Sequence, residues 1–160
     1  MKRFFFVCVS ILLFAGSLYA QTSTAAVGKQ SVTVDFAVTM RDLAVAAKTQ
    51  DDRAIPTNRA IILDGDIGTI IVHEDTATSF VAEVELLNGI WVDETQVELY
   101  RTYIICEGLQ FRSLFDSQSP SRLKSGQTVM VLATYEGLGM DYDGKTPVPV
   151  VQALSIRRIY

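Results

Sequence analysis

The side chains that could do chemistry in this chain are one histidine, two acidic clusters and a scatter of aromatics. His73 stands beside Glu74 and Asp75, and with no second histidine or nearby cysteine it cannot build a zinc site. It reads as a surface histidine at a strand end rather than a general base. Asp64 and Asp66 share one face of an alternating run, and Glu83 and Glu85 share a face of the next. Together the four carboxylates are candidate ligands for a hard divalent cation; the plainer reading is solvated outer-face charge. Asp141-Tyr142-Asp143-Gly144 has the Asp-x-Asp-Gly form of a calcium loop, but Thr146-Pro147-Val148 supplies no further ligands, so Asp143-Gly144 is expected to be a β-turn. No Gly-x-Ser-x-Gly, phosphate-binding loop or dinucleotide fingerprint occurs, so the serines lack a recognisable partner. What remains is contact chemistry. Trp91, Tyr100, Tyr103 and Tyr142, with Met140 and Lys145 close by, can stack on bases, sugars or apolar groups wherever they are exposed.

Strands must position most of these residues. Ala60 to Val72 puts Ile61, Leu63, Ile67 and Ile71 on one face and the two aspartates on the other, while Gly65 and Gly68 fit a bulge or bend that lets one strand serve two sheets. Phe80 to Leu87 alternates again, and Asn88-Gly89 is the strongest short hairpin signal. That signal leaves an extra hairpin within Leu87 to Leu99 as an open expectation. Val97 to Glu107 is a long alternating run, in which Cys106 reads as a small buried hydrophobe. Phe111, Leu114 and Phe115 then sit at helical spacing, and two strands, Val129 to Tyr135 and Val148 to Ile159, flank the loop Gly137 to Pro147. Ahead of all these, Phe36, Met40, Leu43, Ala44 and Ala47 make a helical stripe, with Thr39 and Asp42 as a capping box. Without helices between successive strands the sheet should be antiparallel.

The N-terminus carries a different instruction. Lys2 and Arg3 precede an apolar run from Phe4 to Phe14 and the small-residue segment ending at Ala20, the pattern of a secretory signal peptide. The run is shorter than the ~20 residues a membrane span needs. Residues 1–20 are therefore expected to be a signal peptide, with an uncleaved tether as the alternative, 21–30 a flexible leader, and 31–160 one domain. An exported location, periplasmic or extracellular, follows as an expectation, with no transmembrane helix once the signal is cleaved. Loss of Lys2 and Arg3 takes the formal charge from −4 to −6. Phosphate neutralisation supplies most general nucleic-acid affinity, so an acidic domain is a poor candidate for it.

The order strand, strand, strand, short helix, hairpin is that of the OB-fold, a five-stranded Greek-key barrel, here with an added N-terminal helix and a short helix between strands three and four. The chain resembles the tRNA_anti-like family of exported or lipid-anchored bacterial OB-fold domains. The residues that carry the resemblance are Ala46-Ala47-Lys48, the strand Ile61 to Ile70, Lys124-Ser125-Gly126-Gln127-Thr128-Val129, and Val151 to Ile156. It is also similar to the periplasmic bacterial OB-fold proteins in size, export and acidity. The Leu87 to Leu99 segment departs from the first pattern.

OB-folds bind through the face of their second and third strands and the loops between strands one and two and strands four and five. Here that surface would take in Trp91, Tyr100 or Tyr103, the segment His73 to Ser79, and the Gly137 to Pro147 loop with Met140, Tyr142 and Lys145. The reading is a non-enzymatic binding or adaptor module, without cofactor, that engages an envelope protein or a small ligand. Two alternatives stay open: a divalent-cation-dependent hydrolase using Asp64, Asp66, Glu83 and Glu85, and single-stranded nucleic-acid binding by fold analogy. Arg112, Arg122 and Lys124, and the pair Arg157-Arg158, are read as charged edge residues that discourage strand-to-strand association.

Overall fold

A computed structural model describes residues 32–159, so the signal peptide, the leader, Lys2, Arg3 and Cys8 lie outside the described residues. A two-residue strand β1 (Val34–Asp35) and helix α1 (Met40–Thr49) precede strands β2 (Ala60–Asp75), β3 (Phe80–Trp91) and β4 (Val97–Glu107). A 3-10 helix (Leu109–Leu114) and strands β5 (Thr128–Met140) and β6 (Pro147–Arg158) complete the domain.

The helix forms where its capping box places it. Thr39 accepts from the backbone N–H of Asp42, whose carboxylate accepts from the Thr39 N–H at 2.9 Å. Gln50, left-handed at φ 54°, ends it. Met40, Leu43, Ala46 and Ala47 are the buried stripe, and the helix packs on β4 and β6. Phe36 falls outside that stripe: it precedes the cap and is 79% exposed.

The sheet runs β1-β2-β3-β4-β6-β5 and closes by pairing β5 with β2. Five strands make the barrel, and β1 adds a short parallel pair at Ala60 and Ile61. The β4–β6 pairing is parallel, at Tyr103 to Ile105, while the other barrel pairings are antiparallel. This is OB-fold topology, with the 3-10 helix between the third and fourth barrel strands.

One strand serving two partners is what closes it. Residues 60–66 of β2 pair with β5, residues 66–75 pair with β3, and the register shifts between Ile67 and Ile70. Ile61, Leu63, Ile67, Phe80, Val84, Leu86, Ile104, Val131 and Val151 fill the interior. Phe111 of the 3-10 helix joins this cluster, and the Phe115 ring lies 5.4 Å from that of Phe80. Cys106 is fully buried, and desolvation pushes its thiol up to about 12. Since the thiolate is the reactive form, Cys106 is expected to stay unmodified by a thiol reagent in native buffer and to react at once in denaturant; rapid native labelling would contradict its placement.

Asn88-Gly89 does not turn the chain. Both residues lie inside β3, paired with Tyr100 and Leu99, and the ladder continues to Trp91 opposite Val97. The turn comes at Val92 to Gln96, where the Asp93 carboxylate accepts from the N–H groups of Thr95 and Gln96. No separate hairpin is inserted. The β3–β4 hairpin simply runs on past the barrel as a two-stranded arm, its base tied by the Asn88 side-chain amide donating to the Asp64 carbonyl at 3.0 Å.

Candidate functional site

Side chains on a strand alternate between faces, so the β3–β4 register decides which residues share a surface. The cross-strand pairs Trp91–Val97, Gly89–Leu99, Leu87–Arg101 and Glu85–Tyr103 stand on one outer face. The pairing of Ile71 with Glu83 carries that face onto β2. From Val97 to Tyr103 it extends about 20 Å at roughly 3.3 Å per residue. Its outer end is apolar and open, with Trp91 68% and Leu99 61% exposed. Gly89 leaves a notch between them.

At the inner end the strip meets the β5–β6 loop. A cleft of about 270 Å³ is lined by Thr69, Ile71, Glu83, Glu85, Arg101, Tyr103, Asp141 and Tyr142. Asp141 is its hub: Oδ1 accepts from Tyr103 Oη at 2.6 Å and from the Tyr142 N–H at 2.7 Å, and Oδ2 accepts from Arg101 Nη1 at 2.6 Å. The Tyr103 hydroxyl, that backbone N–H and the Arg101 charge hold the Asp141 carboxyl below the usual carboxylate range. Desolvation and the Asp141 carboxylate raise the Tyr103 phenol. Tyr142 sets its ring edge-on to Tyr103, centroids 5.7 Å apart, and donates to Glu83 at 2.5 Å, which pushes its own phenol up to about 12. Glu83 also meets His73 Nε2 at 3.3 Å, and Glu85 accepts from the Thr69 N–H.

The loop itself is a β-turn. The Gly144 N–H donates to the Asp141 carbonyl, Gly144 takes φ 66°, and the Asp143 carboxylate accepts from the N–H groups of Lys145 and Thr146. Beside it a second cleft is lined in part by Lys48, Leu99, Arg101 and Lys145, so Arg101 borders both clefts and the cations gather on the second.

The sequence-based candidates separate accordingly. Trp91, Tyr103 and Tyr142 belong to the one outer face, Trp91 at its open end and Tyr103, 7% exposed, beneath Tyr142 at the inner end. Tyr100 does not: it is 9% exposed, packs into the core, and donates its hydroxyl to Glu98. Lys145 lies on the adjoining cleft and Met140 is exposed at the end of β5. Glu83 and Glu85 belong to the aromatic cleft, whereas Asp66 is engaged by the Thr128 hydroxyl and Asp64 is exposed elsewhere on β2. Among the described residues no group of three or more His, Cys, Asp or Glu side chains could hold a metal ion. Arg112 is drawn into the β2–β3 turn, paired with Asp75 and donating to the Thr76 carbonyl. Leu87, Val97 and Leu99 are residues that sequence reasoning did not assign to the site, and Asp141 entered only as part of the Gly137 to Pro147 loop. The signal was present in the odd-numbered phase of Val97, Leu99, Arg101 and Tyr103, which sets Tyr103 and Tyr100 on opposite faces.

No protein-family model matches the chain, and no curated protein matches it in sequence. Among solved structures it is similar to the Plasmodium falciparum SSB in complex with ssDNA, at 15% identity over 63% of this chain and 94% of that one, TM-score 0.46. It is also similar to a small single-stranded DNA-binding protein from Streptomyces coelicolor, at 12% identity over 62% of this chain and 93% of that one, TM-score 0.43. The likeness is one of fold. Both neighbours are single-stranded DNA-binding proteins, against the expectation of an envelope-protein or small-ligand adaptor and against the setting aside of nucleic acid as a partner.

Proposed function

We propose that this protein binds single-stranded nucleic acid along the outer face of β3 and β4, by base stacking more than by phosphate neutralisation. The observation that carries the reading is one outer face with exposed Trp91 and Leu99 at one end and, at the other, exposed Tyr142 packed edge-on to the buried Tyr103, on the face where OB-folds hold extended polymers. Stacking on an aromatic side chain tolerates any base, because every base has a π face. The charge pattern fits the same mode: Arg101, Lys48 and Lys145 are the cations beside the strip, against Glu83, Glu85 and Asp141. The tRNA_anti-like resemblance and an exported location belong to this proposal as well, the latter supported by the signal-like residues 1–20.

The mode has a measurable signature in salt. Three cations neutralising phosphates give a slope of about −2 for log K against log salt, since each single-strand phosphate contributes about −0.7. Titrating labelled oligothymidylate by fluorescence anisotropy is therefore expected to show roughly a 15- to 20-fold loss of affinity between 50 and 200 mM salt. A loss of a thousandfold would move the binding to the basic residues elsewhere on the barrel, and an absence of binding at low salt would end the proposal.

A further inference from the structure

We infer that Arg101 and the Tyr103 hydroxyl form an anion subsite for a nucleic-acid phosphate, and that the chain's own Asp141 carboxylate occupies it as a built-in competitor. The inference rests on the stacking reading above and says where the polymer backbone would sit. Two oxygens of Asp141 take donors from Arg101 Nη1, Tyr103 Oη and the Tyr142 N–H at 2.6 to 2.7 Å, the set of charge-assisted bonds that two phosphate oxygens would take. Arg101 is held in place from its other side, where its buried Nε lies 2.8 Å from Glu85 Oε1. Arg101 also borders the cleft lined by Lys48 and Lys145, while Tyr103 and Asp141 line the cleft shared with Glu83 and Glu85.

Asp141 can leave without undoing the loop. The turn is closed by backbone bonds, Asp141 N–H to the Thr146 carbonyl and Gly144 N–H to the Asp141 carbonyl, and is braced by the Asp143 carboxylate. Removing the Asp141 side chain deletes the competitor and one negative charge and leaves those bonds in place.

The experiment is an anisotropy titration of labelled oligothymidylate into wild type, D141A, D141N and the double variant D141A/R101M, each first checked by thermal melt. D141A is expected to bind about tenfold more tightly than wild type, because the phosphate no longer has to displace the carboxylate from Arg101. D141N should fall between the two, and R101M should erase the gain. Wild-type binding that D141A leaves unchanged or weakens would overturn the competitor while sparing the stacking reading, which Trp91→Ala tests independently. A gain in D141A that survives R101M would overturn the subsite, and an absence of binding by every variant would overturn the stacking reading and the inference with it.

Discussion

Gly65→Ala is expected to cost the domain about 3 kcal/mol, the upper part of the range for overpacking a filled interior. A Cβ at this position would lie 2.4 Å from the Leu87 carbonyl oxygen and 3.1 Å from Leu86 Cγ. The first of those is backbone and cannot rotate away, so β2 and β3 would have to separate next to Asp66, the residue paired with both β3 and β5. Against the roughly 5–15 kcal/mol that holds a domain folded, the change should lower the melting temperature by roughly 10 °C. Urea denaturation followed by circular dichroism measures it. Gly89→Ala is the matched control, because a Cβ there meets only Val97 Cγ1 at 3.4 Å; equal losses at the two positions would contradict the strand crossing described for β2.

Trp91→Ala is expected to act on binding and leave stability alone. The ring is 68% exposed on the free arm, so its truncation opens no cavity. One stacked base is worth about 1–3 kcal/mol, or roughly 5- to 150-fold in Kd. The variant should therefore melt with wild type and bind labelled oligothymidylate at least fivefold more weakly. Tyr142→Ala removes the other exposed ring of the strip, at the far end from Trp91, so the two losses should add. A Trp91 variant with undiminished affinity would take the arm out of the interface.

Local chemistry made much of this fold legible in the residues themselves. The Thr39 and Asp42 pair announced its helix, Gly65 and Gly68 marked the bend through which β2 serves both β3 and β5, and the Phe111 segment supplied the short helix between the third and fourth barrel strands. Asn88-Gly89 misled because a short turn signal competes with the pairing available to its neighbours. Asn88 spends its amide on the Asp64 carbonyl, and the ladder's pairing outweighs the local turn preference until Asp93 can cap a wider turn. At the site, composition marked Trp91, Tyr103 and Tyr142, but the contact between Tyr142 and Tyr103 joins residues far apart in sequence, and only the closed barrel brings them within 5.7 Å. The overall acidity pointed away from nucleic acid because net charge averages over the whole surface. A stacking strip draws on local aromatic area instead.

The chain has one tryptophan, and it is Trp91. Its intrinsic emission is therefore a direct reporter at the outer end of the proposed interface, free of any label. Oligothymidylate added to the protein at low salt is expected to quench that emission saturably, with the same midpoint as the anisotropy titration, because a base stacked on the indole changes its surroundings at the moment of binding. Emission that stays unchanged at every oligonucleotide concentration would contradict the claim that this face of the barrel binds single-stranded nucleic acid.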